Sequence, residues 1–422
     1  MKTTAIRAIS LMCLALCACG GTSTAPVNVG ALTLPYPPTP DRDAFYAQPD
    51  PMPHLPPGSI LKSRAISFTP THGIALPNPA WQIQYVSTDV NGRPQAVVAT
   101  VVKPLTPALA SPTPLLAYQM AYDSLGSACA PSHTLNADNH NGSNELEAAF
   151  YLQALLTQGW PIVFPDYEGP YSEYGAGVQA GRATLDAIRA ALQFEPLGLT
   201  PESPVAMWGY SGGALASAWA ASLQKGYAPE LNIVAIASGG TPTNSFNIVK
   251  QAQNTSYFNL VASAVIGTNR AYPELIPPGF LTPQGEKWAE AIRDGCNGGT
   301  TDGSAPPFTE FAPYTTVSDP FDTPGARSVA AKTLLPQPGM TPIADIYIYH
   351  AIKDQLLPIA DTDTMVSTWC ANGAHVSYYR DSVGQDHVSE FAAGADLALA
   401  YLVSRMNHSP MTVLPPGAQV CN

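Results

Sequence analysis

The sequence predicts an α/β protein whose mostly parallel central sheet is covered by helices on both faces. Short apolar runs without alternation, such as residues 205–208 and 233–237, are separated by segments of helical periodicity, which is typical of buried parallel strands. Of the 422 residues, 45% are hydrophobic and 12% are charged, so the chain can build a large core. The 43 prolines and 33 glycines indicate many turns rather than a helical bundle or a coiled coil.

The predicted elements begin with a hairpin and continue as strands and helices. Trp81, Ile83 and Tyr85 alternate with glutamines, and the turn signal Asn91-Gly92 separates them from the apolar residues 95–102. After this hairpin we predict strands over residues 115–121, 162–164, 205–208, 233–237, 346–349 and 376–379, and helices over residues 144–158, 180–192, 214–224 and 389–406. The α/β core is thereby placed in residues 65–240 and 336–422.

Residues 241–335 interrupt this rhythm of strands and helices. They carry apolar patches, for example Tyr257-Phe258, and turns such as Pro277-Pro278-Gly279. We interpret the segment as a cap inserted over the sheet. The alternative is an ordinary mixture of core helices and surface loops.

The N-terminal residues predict export. Lys2 and Arg7 precede an apolar run over residues 8–18, which is too short to span a membrane as a mature helix. A charged start, a short apolar run and small residues at its end are typical of a secretory signal, which we place at residues 1–18.

The end of that run predicts a lipid anchor. Leu16-Cys17-Ala18-Cys19 resembles a bacterial lipobox, in which the last cysteine, Cys19, is lipidated and becomes the mature N-terminus. Since Gly20 rather than Asp follows, we expect membrane attachment at the outer membrane or cell surface, with release to the periplasm or medium as the alternative. Residues 19–64 are predicted to be a tether and N-terminal arm, because ten prolines between residues 26 and 57 favour an extended spacer.

Charge limits the possible partners, and cysteine content limits the possible disulfides and metal sites. The formal net charge of −12 excludes nucleic acid as a partner, because phosphate binding needs a basic surface. Four cysteines remain besides those of the signal and Cys19, and they predict two disulfides with three possible pairings. None has metal-ligand spacing: Cys129, Cys296, Cys370 and Cys421. We expect a monomer.

The segment Gly209-Tyr210-Ser211-Gly212-Gly213 carries a Gly-x-Ser-x-Gly motif. The pentapeptide alone is a weak signal, but a predicted strand precedes it and a predicted helix follows it. In that setting the serine is exposed on a sharp turn at the end of a strand. Ser211 is therefore the predicted nucleophile, and a structural turn is the alternative.

A serine nucleophile needs a base to accept its proton. His387 lies in a predicted loop between the strand 376–379 and the last helix, which is where this architecture places its base. The other histidines lie before Ser211, next to predicted strands, or after the last helix: His54, His72, His133, His140, His350, His375 and His408.

The acid that orients the base is expected between Ser211 and His387 in the chain. Asp354 follows the predicted strand 346–349 by a few residues and is the predicted acid. Asp361 and Asp363 are its nearest rivals, while Asp386 lies too close in sequence to orient His387 easily.

The tetrahedral intermediate also needs hydrogen-bond donors for its oxyanion. The backbone N–H of Gly212, directly after the nucleophile, is one predicted donor. The second is expected in the loop after strand 115–121, at the backbone N–H of Asp123. The His-Gly-Gly-Gly sequence that often supplies this donor does not occur here.

Several further segments resemble the secretory lipase family, and the resemblance runs from about residue 45 to the C-terminus. They are Tyr122-Asp123-Ser124, Cys129-Ala130-Pro131-Ser132, Pro165-Asp166-Tyr167-Glu168-Gly169-Pro170, Leu185-Asp186-Ala187-Ile188-Arg189-Ala190 and Gly239-Gly240-Thr241-Pro242, beside the serine motif. The resemblance implies an α/β-hydrolase fold with a cap, the triad Ser211, Asp354 and His387, and oxyanion donors at Asp123 and Gly212. It also implies the disulfides Cys129–Cys296 and Cys370–Cys421.

The activity implied by this resemblance is hydrolysis of carboxylic esters, including triacylglycerols, without a metal or cofactor. Its substrate would be an acyl ester or lipid. An acyltransferase that uses the same triad, or a non-catalytic surface lipoprotein on a hydrolase fold, is the alternative. The lipobox departs from the family pattern, because many members are freely secreted.

Overall fold

The computed structural model describes residues 34–71, 74–136, 147, 151–299, 309–382, 386–409 and 419–421. The predicted signal peptide, Cys19 and most of the first half of the predicted helix 144–158 lie outside these residues. Residues 35–422 belong to one unit.

A ten-stranded sheet runs through the described residues. Its strands are β1 (Ile60–Ile66), β2 (Ala80–Thr88), β3 (Pro94–Val102), β4 (Leu115–Gln119), β5 (Ile162–Pro165), β6 (Val205–Tyr210), β7 (Ile233–Gly239), β8 (Asp345–Ala351), β9 (Val376–Asp381) and β10 (Gln419–Cys421), in the spatial order β1-β2-β3-β5-β4-β6-β7-β8-β9-β10. The strands from β5 to β9 in that order pair in parallel, whereas the outer pairs at both edges are antiparallel. The predicted mostly parallel sheet is confirmed.

Helices connect these strands. They are α1 (Pro131–Thr134), α2 (Gln153–Thr157), α3 (Gly177–Gln193), α4 (Gly212–Tyr227), α5 (Ser245–Ala252), α6 (Phe258–Ala271), α7 (Pro283–Ile292), α8 (Pro324–Thr333), α9 (Ile359–Ala371), α10 (His387–Ala393) and α11 (Ala395–Met406), with 3₁₀ turns at Ala44–Tyr46, Ser127–Cys129, Glu195–Leu197, Pro273–Leu275 and Ala312–Tyr314. In the described part of the chain, no helix is long and apolar enough to cross a membrane.

Both faces of the sheet are covered, as predicted. Trp219 of α4 and Trp369 of α9 pack on one face with Ala117 of β4, whereas Leu402 of α11 packs on the other face with Tyr118 of the same strand. All five side chains are almost fully buried. Neighbouring residues of one strand thus pack into two different hydrophobic cores, one on each face of the sheet. This explains why the central strands have no polar face.

The hairpin at Asn91-Gly92 is confirmed, but its turn is longer than two residues. β2 and β3 pair antiparallel from Thr88 opposite Pro94. The Asp89 carboxylate accepts the N–H of Asn91 at 2.8 Å and that of Arg93 at 2.8 Å. Gly92 has a φ of 78°, a left-handed conformation that glycine adopts without strain.

The prediction of one continuous helix over residues 389–406 is wrong. Two helices, α10 and α11, meet at Gly394, where a Cβ would lie 2.3 Å from the Tyr349 ring. Glycine therefore allows the helix junction to approach β8. The backbone of Gly394 stays right-handed, with φ −80° and ψ −13°. The apolar periodicity continues on both sides of this residue, and the break was therefore not predicted.

The prediction of a free, extended spacer is also wrong for the described residues before β1. The side chain of Gln48 donates to the carbonyl of Ala96 and accepts its N–H, both at 2.8 Å. Phe45 is buried, and Thr39 binds Asp294 through its N–H and its hydroxyl, both at 2.6 Å. Aromatic and polar side chains between the prolines bind this segment to the rest of the protein. Proline content alone did not predict these contacts.

The segment between β7 and β8 contains α5, α6, α7 and α8. Its apolar side chains, including Val249, Val261 and Trp288, form a cluster of their own with Leu125 and Leu356. Leu125 follows β4 and Leu356 follows β8. The described residues of the segment 241–335, which is called the cap segment below, therefore lie against loops at the carboxyl ends of these parallel strands.

Both disulfides implied by the family resemblance are present. Cys129 bonds to Cys296 and Cys370 to Cys421, each pair with Cα atoms 5.7 Å apart. The first joins the loop after β4 to the cap segment, and the second joins α9 to β10. In the loop-entropy model, bridges that span 167 and 51 residues stabilise by about 5 and about 4 kcal/mol.

Candidate active site

Ser211 occupies the sharp turn between β6 and α4. Its φ of 52° and ψ of −120° are strained for a residue with a side chain, and this is the conformation expected of an exposed nucleophile. The Ser211 N–H donates to the carbonyl of Gly239 at 2.9 Å, which fixes the turn against β7.

The glycines of the motif allow backbones to approach one another around this turn. A Cβ at Gly209 would lie 2.2 Å from the carbonyl oxygen of Gly213. A Cβ at Gly213 would lie 1.9 Å from the carbonyl oxygen of Gln119, at the end of β4. The turn therefore needs glycine at both positions for packing.

His387 lies beside Ser211, with its Nε2 2.9 Å from the serine Oγ. It is the first residue of α10 and not part of a loop, and 6% of its surface is exposed. Its backbone N–H donates to the side chain of Gln355 at 3.0 Å, and its carbonyl accepts the hydroxyl of Tyr210 at 2.6 Å. These contacts fix the backbone that carries the imidazole.

Asp354 lies on the other side of the imidazole, with its Oδ2 2.7 Å from His387 Nδ1. Its Oδ1 accepts the N–H groups of Leu356 at 2.8 Å and Leu357 at 2.7 Å. Burial by itself raises the pKa of this carboxyl, but the hydrogen bonds and charges of His350 and His387 outweigh it and hold the pKa well below its usual range. Asp354 is thus ionised at neutral pH.

His350 is a residue that sequence reasoning missed. Its Nε2 lies 3.2 Å from Asp354 Oδ2 and 3.2 Å from the carbonyl oxygen of Leu357, and its Nδ1 lies 3.0 Å from Thr362 Oγ1. Because both contacts of Nε2 are acceptors, this nitrogen carries the proton. The sequence showed only a histidine at the end of β8, four residues before Asp354.

The three rival acids have other roles. Asp361 accepts the side-chain amide of Asn247 at 2.9 Å, and Asp363 accepts the hydroxyl of Tyr378 at 2.9 Å. Asp386 caps α10 by accepting the N–H of Ser389 at 2.7 Å. The structure therefore brings Asp354 to the imidazole and places none of these rivals there.

Asp123 and Gly212 meet next to the serine. A Cβ at Gly212 would lie only 1.7 Å from Asp123 Oδ1, so the two residues are in direct contact. Gly212 is the first residue of α4, where a backbone N–H has no acceptor within the helix. Burial raises the pKa of Asp123 to about 7. The two predicted donor residues thus lie on the same side of the turn.

A large apolar cavity reaches Ser211 and Gly212. The space within it, including the part open to solvent, is about 1300 Å³, and its walls include Leu215 of α4 and Val261 and Phe311 of the cap segment. In the described part of the chain, no group of three or more His, Cys, Asp or Glu side chains is arranged to hold a metal ion. The chemistry that this site can supply is nucleophilic attack by a serine hydroxyl on a group with an apolar extension.

Comparison with known proteins identifies the family of this chain. The family model described as "Secretory lipase" matches residues 141–413. The chain belongs to the secretory lipase family. Lipase 5 of Candida albicans is 33% identical to this chain over 398 residues, 91% of this chain and 84% of the relative. Candida antarctica lipase A in its closed state matches with a TM-score of 0.80 and 27% identity, covering 89% of both chains.

Another relative of this chain is named "Probable inactive lipase". It comes from Mycobacterium tuberculosis and is 33% identical over 380 residues, 88% of this chain and 84% of the relative. Family membership alone therefore does not establish activity. The evidence for catalytic activity is the set of contacts around Ser211. Membership and the two disulfides indicate an exported protein.

Proposed function

We propose that this secretory lipase hydrolyses carboxylic esters of fatty acids, triacylglycerols among them, through a Ser-His-Asp triad and an acyl-enzyme. The chain of contacts from Ser211 Oγ through His387 to Asp354 carries the proposal, with distances of 2.9 and 2.7 Å. Such distances allow proton transfer from the hydroxyl to the imidazole. All three positions hold residues competent for these roles.

The reaction has two halves. His387 Nε2 accepts the proton of Ser211 as Oγ attacks the ester carbonyl, and Asp354 stabilises the imidazolium that results. The oxyanion binds the backbone N–H groups of Gly212 and Asp123. The carbon–oxygen bond to the alcohol breaks, and His387 returns the proton to the departing alcohol. In the second half, His387 activates a water molecule that hydrolyses the acyl-enzyme and restores the serine.

The cavity supports an acyl substrate. Its lining is mostly aliphatic and aromatic, contributed by α4 and by the cap segment, and Ser211 lies in its wall. Burial of a hydrocarbon chain there contributes about 0.8 kcal/mol per CH₂ group. We propose that residues 241–335 act as a cap that forms the acyl-binding cavity over the 65–240 and 336–422 core.

Hydrolysis of a chain-length series of p-nitrophenyl esters and of emulsified triglyceride, by wild type and Ser211→Ala, tests the proposal. Activity on long-chain esters that disappears in the variant supports it. Labelling by a fluorophosphonate probe gives a second readout. A wild-type protein that neither reacts with the probe nor hydrolyses any of these esters would refute it, and product analysis with a competing alcohol would reveal an acyltransferase.

We expect Gly212→Ala to lower kcat by about 100- to 1000-fold, the usual effect of losing an oxyanion donor. The added methyl group would collide with the buried carboxyl of Asp123, so Asp123 or the start of α4 must shift. Steady-state kinetics on a short-chain ester measure the loss. Gly226→Ala in the same helix is the matched control, because a Cβ there has no atom within 4 Å. Unchanged kcat in Gly212→Ala would contradict the oxyanion assignment.

We also propose that Cys19 is lipidated and anchors the exported protein to the outer membrane or cell surface. The lipobox-like sequence 16–19 carries this proposal. Wild type should fractionate with membranes and require detergent for release, since several acyl chains give stable anchoring. Cys19→Ala should lose incorporation of radiolabelled palmitate. Equal palmitate labelling of wild type and variant would contradict lipidation at Cys19.

A further inference from the structure

Two buried carboxyls lie in the wall of the mostly apolar cavity. Glu168 and Glu173 both line the cavity that contains Ser211. They are 2% and 6% exposed, and in each the Oε2 atom has no hydrogen-bond partner among the described residues. Unpaired buried polar atoms are costly, so a site that keeps them points to a ligand that satisfies them.

The charge of the nearby buried Arg270 offsets only part of the effect that burial has on the pKa of each carboxyl. Arg270 donates its N–H groups to backbone carbonyls, among them those of Leu125 at 2.7 Å, Ser172 at 3.0 Å and Arg293 at 2.7 Å. Burial, reinforced by Asp89, raises the pKa of Glu173 to about 8. Burial and the neighbouring Asp123 raise the pKa of Glu168 well above its usual range. Near neutral pH the Glu173 side chain is therefore mainly protonated, with an O–H to donate and an oxygen to accept.

We propose that the cavity is built for an acyl chain that carries a hydroxyl group, with Glu173 as the hydrogen-bonding partner of that hydroxyl. The proposal rests on the proposed ester hydrolysis and names its substrate class. A chain of plain CH₂ groups leaves the carboxyl unpaired when it fills the cavity, whereas a hydroxylated chain pairs with it. Sites that hydrogen-bond a substrate hydroxyl discriminate strongly against the analogue that lacks it.

The test compares p-nitrophenyl esters of one plain acyl chain and of isomers with a hydroxyl near the ester, in the middle of the chain or at its end. The measured quantity is the ratio of kcat/KM for each hydroxylated ester to that for the plain ester, so a general loss of activity cancels. We expect wild type to prefer one isomer at least tenfold. Glu173→Leu should abolish this preference, and Glu173→Gln, which keeps a donor and an acceptor, should retain most of it.

Glu290→Leu is the matched control, because Glu290 is an exposed glutamate that pairs with Arg293 and should leave the ratio unchanged. A wild type without preference, or a preference that survives in Glu173→Leu, would overturn the inference. If wild type hydrolyses no ester, the proposed function fails instead. Calorimetric binding of the corresponding plain and hydroxylated methyl esters to Ser211→Ala then decides the inference separately, and equal affinities would refute it.

Discussion

Ser211→Ala is expected to lower kcat for ester hydrolysis by roughly 10⁴-fold or more, to the level that binding and the oxyanion donors alone sustain. The hydroxyl removed is the atom that forms the acyl-enzyme, and it contacts His387 Nε2 at 2.9 Å. KM should change little, because the acyl chain still fills the same cavity. Pre-steady-state kinetics should show no burst of alcohol release, because no acyl-enzyme forms.

Ser245→Ala is the matched control for this loss. Ser245 also lines the cavity, at the start of α5, but no described contact joins it to His387. We expect its kcat to stay within about twofold of wild type, the behaviour of a position outside the reacting groups. Comparable thermal unfolding of both variants would show that the loss at position 211 is chemical. Full activity in Ser211→Ala would contradict the assignment of Ser211 as the nucleophile and would refute the proposed mechanism.

The fold around the serine could be predicted because its determinants are local. An apolar strand, a glycine-rich turn and a helix follow one another within residues 205–227, and each has its own sequence signal. His387 could be located because it follows β9, whose carboxyl end lies at the same edge of the parallel sheet as that of β6. The placement of Asp354 followed from the same reasoning, and the structure brings it to 2.7 Å from the imidazole.

Features that depend on distant contacts could not be predicted. The break at Gly394 follows from the Tyr349 ring, and the two residues are far apart in sequence. The docking of Thr39 depends on Asp294, 255 residues away. His350 acquires its place only when the turn after β8 folds back and brings Asp354 and Leu357 to its ring.

The pairing of cysteines shows the same limit. Spacing left three pairings open, and the family resemblance alone selected Cys129–Cys296 and Cys370–Cys421. The first bond joins residues 167 positions apart, so no local pattern reports it. The second depends on β10, a three-residue edge strand too short to give a periodic signal.

Asp354→Asn is expected to lower kcat by about 10⁴-fold, although the amide is nearly the same size as the carboxyl. Its oxygen can still accept the N–H groups of Leu356 and Leu357. The NH₂ group then faces His387 Nδ1 and donates to it, so the proton of the neutral imidazole moves to Nε2. A protonated Nε2 cannot accept the proton of Ser211.

Asp361→Asn and Asp363→Asn are the controls, because both are acids of the same segment that bond elsewhere. We expect each to keep kcat within about twofold of wild type. A loss at either position that equals the loss in Asp354→Asn would contradict the assignment of the acid.

The same variant should change how stability depends on pH. The folded-state pKa of Asp354 is depressed, so its ionised form stabilises the fold above the unfolded-state pKa of about 3.9, and this contribution disappears as pH falls through the folded value. Asp354→Asn lacks the titrating group and should lose less stability than wild type between neutral pH and about pH 3. Denaturant unfolding across that range measures the difference. Parallel stability curves for the two proteins would mean that the carboxylate is not held in the charged form by His350 and His387, and the electrostatic role given to Asp354 would then fail even if kcat falls.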